Sequence, residues 1–120
     1  MIARRWTGWT ENARAGAYED YMREVALPGY TDVPGNLGVL MLRRALTDRP
    51  WTEFTMISLW RSMADVAAFA GPDPGRAVFY DRDAEFLVDR EWTVTHDEVY
   101  ATSPDLVRDR PPTRGEAPGR

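Results

Sequence analysis

Apolar and polar residues alternate most clearly between Trp51 and Trp60, just before a segment with helical spacing. A period of two with β-branched and aromatic residues is typical of a strand. One face of this predicted strand carries Phe54, Met56, Ser58 and Trp60, and the other carries Glu53, Thr55, Ile57 and Leu59. Because the second face is also largely apolar, we predict that the strand is central in its sheet and covered on both sides.

Similar patterns predict the remaining elements. A helix follows Ser62, a suitable N-cap, and ends at Gly71-Pro72. Another helix begins at Asn12 and is predicted to be interrupted at Pro28-Gly29. The other predicted elements are strands over 2–10, 37–46 and 92–100, and a helical turn over 84–88 capped by Asp83.

The order of these elements, strand–helix–strand–strand–helix–strand, is that of the ferredoxin-like arrangement. We therefore predict an α+β fold with a four-stranded antiparallel sheet and, since crossovers are right-handed, both helices on one face. Residues 1–100 would form this single domain, and the Pro- and Arg-rich residues 101–120 a disordered tail. The opposite face, with Ile57 and Leu59, would be exposed in a monomer, so we expect a homodimer joined through it.

Composition narrows the possible chemistry. The 120 residues carry a net charge of −4 with scattered basic residues, which argues against binding to nucleic acid. The absence of Cys excludes disulfides and cysteine nucleophiles, and a single His cannot build a multi-histidine metal site. No run approaches membrane-spanning length, so we expect a cytoplasmic protein that binds no membrane.

Aromatic and methionine side chains dominate the face that the helices are predicted to cover. We expect them to line a pocket for a small hydrophobic aromatic substrate, since aromatic stacking contributes about 0.5–1.5 kcal/mol per pair beyond burial. The candidate pocket residues are Trp6, Tyr18, Tyr21, Met22, Phe54, Met56, Trp60, Phe79, Tyr80 and Phe86. The alternative is that these side chains simply form the core. The presence of five Trp favours a cavity wall for Trp6 and Trp60.

Two polar residues are candidates for chemistry in that pocket. His96 is the one side chain whose ordinary pKa lies near neutrality, so it is the candidate general base. Its alternative is a structural hydrogen bond to Glu98 or to a tyrosine hydroxyl. Arg4 shares the face of Trp6 and could hold a substrate carboxylate or phenolate, and its alternative is a salt bridge to Glu98.

Four segments carry a resemblance to a known family: Pro34-Gly-Asn-Leu-Gly38, Ser58-Leu-Trp60, Phe69-Ala-Gly71 and Val94-Thr-His96-Asp-Glu-Val99. With the order of elements, they resemble the antibiotic biosynthesis monooxygenase-like family, whose members are small dimeric α+β barrels. Trp60 matches the tryptophan that lines the pocket in the anthrone-oxidising branch. Met56 and Val66 stand where that branch has an asparagine and a tyrosine.

The resemblance implies a cofactor-independent monooxygenase, a tailoring enzyme for an aromatic or polyketide-type intermediate in antibiotic or secondary-metabolite biosynthesis. In this hypothesis Trp60 and His96 are catalytic, and no cofactor is needed because the deprotonated substrate itself gives an electron to O₂. Two alternatives remain open. One is a non-oxidative cyclase or isomerase that uses the same pocket, and the other is a ligand-binding dimer without catalysis.

Overall fold

The long strands that alternation predicts form the centre of an antiparallel sheet. A computed structural model describes residues 1–106, so most of the predicted tail at 101–120 lies outside the described residues. The elements are β1 (Ile2–Glu11), a 3-10 turn (Asn12–Arg14), α1 (Ala15–Tyr21), a π-helical turn (Met22–Ala26), α2 (Leu27–Thr31), β2 (Asn36–Ala45), β3 (Trp51–Trp60), α3 (Met63–Ala70), α4 (Asp83–Phe86), β4 (Leu87–Arg90) and β5 (Thr95–Glu98).

The strand order in the sheet is β2-β3-β1-β4, and β5 also pairs with β1. This confirms the predicted α+β, ferredoxin-like fold. Across the sheet Trp6 lies opposite Met56, which in turn lies opposite Met41. Directly opposed residues point to the same side, so the register defines an inner face that carries these side chains. The helices cover this face, because Tyr18 of α1 contacts Phe54 there.

The core fills the space between the helices and this inner face. Gly8 illustrates how closely it packs, since a Cβ at this position would lie 2.3 Å from the Trp6 ring. The group that closely approaches Gly8 is therefore the indole of Trp6. The buried apolar residues are Trp6, Ala15, Tyr18, Tyr21, Met22, Ala26, Tyr30, Phe54, Met56, Trp60, Val66 and Phe86.

The predicted interruption at Pro28-Gly29 is wrong, because helical structure continues to Thr31. A π-helical turn precedes α2, and Pro28 lies in the first turn of α2, where a missing backbone N–H is tolerated. Gly29 allows a neighbouring loop to approach, since a Cβ there would lie 2.6 Å from the Tyr80 hydroxyl. The helix therefore accommodates Pro28 because of its place in the first turn, and Gly29 leaves room for Tyr80.

The edge of the sheet beside β1 is divided into two short strands, where a single strand over 92–100 was predicted. β4 pairs with the second half of β1, and β5 pairs with its first half. The predicted helical turn over 84–88 is also too long, because Leu87 already belongs to β4.

An irregular segment at residues 91–94 separates these two strands. The backbone N–H of Ala77 donates to the carbonyl of Trp92 at 2.9 Å, so this stretch pairs with the loop before α4. The alternation predicted from Trp92 to Tyr100 fails at its ends, since the side chains of these two residues are 58% and 99% exposed.

The second half of the helical layer follows the prediction more closely. Ser62 caps α3, with its hydroxyl accepting from the backbone N–H of Asp65 at 3.2 Å, and Gly71 ends the helix with a φ of 90°. Asp83 is the first residue of α4 and not its N-cap. Within residues 1–106, no helix is both long and apolar enough to span a bilayer.

Candidate functional site

The predicted pocket residues do share one region, on the inner face and in the helices above it. Most of them are buried in a single cluster, and Phe79 and Tyr80 are partly buried against it. Their rings touch one another: Tyr18 meets Phe54 edge to face at 4.9 Å, and Trp60 lies 5.0 Å from Phe69. The alternative interpretation, that these aromatics form the core, therefore describes most of them.

An open groove of about 420 Å³ lies beside this cluster, between the first helical segment and strands β2 and β3. Of the predicted pocket residues, only Met22, Phe54 and Met56 line it. Trp6 and Trp60 do not, although both were predicted as its walls. The full lining is Glu19, Met22, Arg23, Leu27, Val39, Met41, Leu42, Arg43, Phe54 and Met56.

Charged residues lie at the mouth of this groove. Glu19 of α1 accepts a hydrogen bond from Arg43 of β2 at 2.6 Å and is also paired with Arg23 at 2.7 Å. The hydrogen bond from Arg43 is the main reason that the pKa of Glu19 lies below its ordinary value. The Arg43 guanidinium also stands over the Phe54 ring, 5.8 Å from its centroid. One ion pair therefore joins a helix and a strand directly above the aromatic floor of the groove.

Glu19 and Arg43 were not among the sequence-predicted site residues. The signal for Arg43 was present, since Val39, Met41 and Arg43 alternate along β2 and all three line the groove. Their register with Ser58, Met56 and Phe54 assigns them to the inner face. The sequence alone did not give the register of β2 on β3. This register brings Arg43 to the mouth of the groove.

Arg4 and His96 lie side by side on the inner face, where β1 meets β5. The Arg4 guanidinium is buried and donates to the carbonyls of Pro74 and Arg76 and to Nε2 of His96, which is 3.0 Å away. Because a guanidinium only donates, Nε2 accepts, and the neutral ring carries its proton on Nδ1. Burial, followed by the positive charge of Arg4, lowers the pKa of His96.

This geometry bears directly on the roles predicted for Arg4 and His96. The residues that line the groove include neither Arg4 nor His96. Arg4 holds the loop before α4 onto the sheet through backbone carbonyls, rather than forming a salt bridge with Glu98. The lone pair of His96 that would accept a proton is occupied by Arg4. The general-base role of His96 stays a prediction, and the geometry argues against it.

Three side chains with buried polar atoms lie at or near α4: Asp83, which was predicted as a cap, and Tyr18 and Tyr80, which were predicted as pocket residues. Asp83 is 3% exposed, and its Oδ2 accepts from the backbone N–H of Tyr80 at 2.7 Å. Among the described residues, Asp83 Oδ1 and the hydroxyls of Tyr18 and Tyr80 are buried without a hydrogen-bond partner. Burial raises the pKa of Asp83 and also that of Tyr80, the latter to about 12. Both effects favour the neutral, protonated forms of these side chains.

Substitution of Asp83 by Asn should make stability less dependent on pH. Folding raises the pKa of the Asp83 carboxyl above its ordinary value of 3.8, so the protonated form favours the folded state. This contribution is fully present below pH 3.8 and is lost as the pH rises through the folded-state pKa. The amide keeps the bond to the Tyr80 N–H but carries no buried charge. We expect Asp83→Asn to unfold at a higher temperature than wild type at pH 7, and the difference to vanish near pH 3.

Thermal unfolding of both proteins across this pH range checks the expectation. Asp83→Ala, which also removes the acceptor for Tyr80, is the comparison that should unfold at a lower temperature at acidic pH. If Asp83→Asn is less stable than wild type by the same amount at every pH, the buried charge of Asp83 does not account for the pH dependence.

Comparison with known proteins establishes the fold independently. No protein-family model matches this chain, and no curated protein matches it. The chain is similar in structure to a candidate antibiotic biosynthesis monooxygenase from Nitrosomonas europaea, with a TM-score of 0.60, 18% identity, and 84% of this chain and 100% of that chain covered. A second such structure, from Bacillus cereus, has a TM-score of 0.51 and 11% identity over 85% of this chain and 94% of the other. At these identities the comparison shows a shared fold.

Proposed function

We propose that this protein is a cofactor-independent oxygenase that modifies an electron-rich aromatic or polyketide-type molecule bound in the groove. The observation that carries the proposal is the groove itself, an apolar, methionine-rich opening on the helix-covered face of the sheet. Its volume of about 420 Å³ is that of a small-molecule site. The structures that share this fold are named as candidate monooxygenases of antibiotic biosynthesis, which is consistent with this chemistry.

The reaction needs no electron source other than the substrate. Loss of a proton from an activated C–H bond gives a carbanion, which transfers one electron to O₂. The resulting radical pair combines to form a C–O bond as a hydroperoxide, and loss of water leaves a carbonyl. Overall a CH₂ group and one O₂ give a C=O group and one H₂O. The contribution of the protein is to bind the substrate, favour its anion and exclude water.

Oxygen consumption with an anthrone tests this proposal. The wild-type protein should accelerate uptake over the uncatalysed reaction, with one atom of ¹⁸O entering the product. Met41→Trp is the matched variant, because Met41 lines the groove and packs against the buried cluster without belonging to it, so a larger side chain there should fill the groove. If the folded wild-type protein does not accelerate oxygen uptake, the proposal is wrong. Product that forms without oxygen would instead favour the isomerase or cyclase alternative.

The same assay decides the role of His96. Because its Nε2 is bound by Arg4 away from the groove, we expect His96→Ala to retain most of the wild-type rate. A folded His96→Ala protein that loses the activity would instead establish the imidazole as the proton acceptor.

We also propose that the outer face of the sheet joins two copies of the chain. Leu40 and Leu42 are 45% and 47% exposed there, and Leu40 lies opposite Ile57. An apolar strip of this kind on a sheet is typical of an interface. Light scattering should give the mass of a dimer for wild type and of a monomer for the double substitution Leu40→Glu, Leu42→Glu. A monomeric wild type would exclude this assembly.

A further inference from the structure

The mouth of the groove combines an apolar floor with an excess of positive charge. Two guanidinium groups, from Arg23 and Arg43, line the groove together with the single carboxylate of Glu19. Both bind that carboxylate, at 2.7 Å and 2.6 Å respectively. Arg23 also pairs with Asp20 at 3.8 Å, but Asp20 does not line the groove. The lining alone therefore carries one positive charge more than negative.

Arg43 is the better placed of these two cations to meet a bound molecule. Its guanidinium stands over Phe54, which is buried at the floor, whereas Arg23 projects from the helix with 63% of its side chain exposed. The Glu19–Arg43 contact is exposed, and ion pairs of this kind contribute little free energy, so a competing anion displaces the carboxylate readily. A guanidinium has five N–H donors and offers a planar fork to a carboxylate, sulfonate or phenolate.

We propose that the groove selects aromatic molecules that carry an anionic group, and that this group replaces the Glu19 carboxylate on Arg43. The aromatic rings then lie on Met22, Met41 and Met56, whose flexible thioether side chains adapt to a flat guest. The inference rests on the proposed binding of an aromatic substrate in the groove and specifies the class of that substrate.

This selection also fits the chemistry of the site. The titratable side chains that line the groove are Glu19, Arg23 and Arg43, and each already pairs with another of them. None is a neutral imidazole or amine that could accept a proton. A phenol or enol that binds as its anion, held by Arg43, arrives deprotonated and so needs no general base from the protein.

A pair of fluorescent dyes tests the inference without any turnover. The anionic probe is 8-anilinonaphthalene-1-sulfonate, and its uncharged counterpart is N-phenyl-1-naphthylamine. In wild type the sulfonate should bind about tenfold more tightly than the amine, as expected of one charge-assisted hydrogen-bonded contact. Arg43→Gln should remove this preference, and Glu19→Gln should increase it because the competing carboxylate is gone.

Arg44→Gln is the matched control. Arg44 is the next residue of β2, points to the outer face and pairs with Glu53 at 2.7 Å, so its loss removes the same charge from a similar ion pair outside the groove. It should leave the preference unchanged. Met41→Trp should abolish binding of both dyes, which places them in the groove.

Each remaining outcome counts against one specific claim. If the amine binds and the sulfonate binds no more tightly, the anion selection is wrong while the groove remains an aromatic site. Equal losses in Arg43→Gln and Arg44→Gln would reduce the effect to overall charge and overturn the role of Arg43. If neither dye binds wild type, or binding survives Met41→Trp, the groove is not the site and both proposals fail.

Discussion

Replacement of Trp60 by Ala should lower the free energy of unfolding by about 3–5 kcal/mol, the range found for the deletion of a fully buried aromatic ring. The indole is 0% exposed, lies 5.0 Å from the Phe69 ring and donates from Nε1 to the Ser58 hydroxyl at 2.8 Å. Its removal opens a cavity between β3 and α3 that neighbouring side chains can only partly fill. Urea denaturation measures the loss, which is a large part of the stability of an ordinary domain.

Two companion variants separate the causes of that loss. Trp60→Phe keeps a ring but leaves the buried Ser58 hydroxyl without its donor, so it should cost about 1–3 kcal/mol. Trp92→Ala removes an indole that is 58% exposed in the irregular segment between β4 and β5, and it should cost less than about 1 kcal/mol. A Trp60→Ala protein as stable as wild type would mean that the indole does not fill the core.

The sequence predicted those parts of the fold whose signals are local. Strand β3 matches its predicted bounds, and β1 differs by one residue, because alternation of buried and more accessible positions is maintained along both. Helix α3 begins where the Ser62 hydroxyl caps it. The failures occur where pairing partners decide the structure. β4 and β5 have four residues each and exist because two parts of β1 accept them.

The same distinction explains how much of the site was predictable. The alternation in β3 correctly placed Phe54 and Met56 on the inner face, and both line the groove. It could not show that Trp60, on the same face, is completely enclosed whereas these two border an opening. That difference depends on which helix lies above each position. Asp83 was interpreted as a cap because the sequence could not show that it is buried close to Tyr18, which comes from a distant part of the chain.

Replacement of Arg4 by Met should be nearly as damaging, with an expected loss of about 2–4 kcal/mol. The buried guanidinium is the hydrogen-bond donor to the partly buried carbonyls of Pro74 and Arg76, and a buried polar group left without a partner costs about 1–3 kcal/mol. Part of this loss is offset because a buried charge is also removed. Chemical denaturation should show the loss, and faster proteolysis near residues 72–77 should show that the loop has been released from the sheet.

The neighbouring Arg5 provides the matched control for that experiment. It lies on the outer face, pairs with Asp97 at 3.9 Å and is about half exposed, so Arg5→Met should cost less than about 1 kcal/mol. NMR titration of the single imidazole gives a second, independent readout. Because burial and then the charge of Arg4 lower the pKa of His96, that pKa should rise toward 6.5 in Arg4→Met and change less in Arg5→Met, which affects His96 only through Asp97. An unchanged titration in both variants would show that Arg4 does not contact the imidazole, and the argument against His96 as the base would then lose its geometric support.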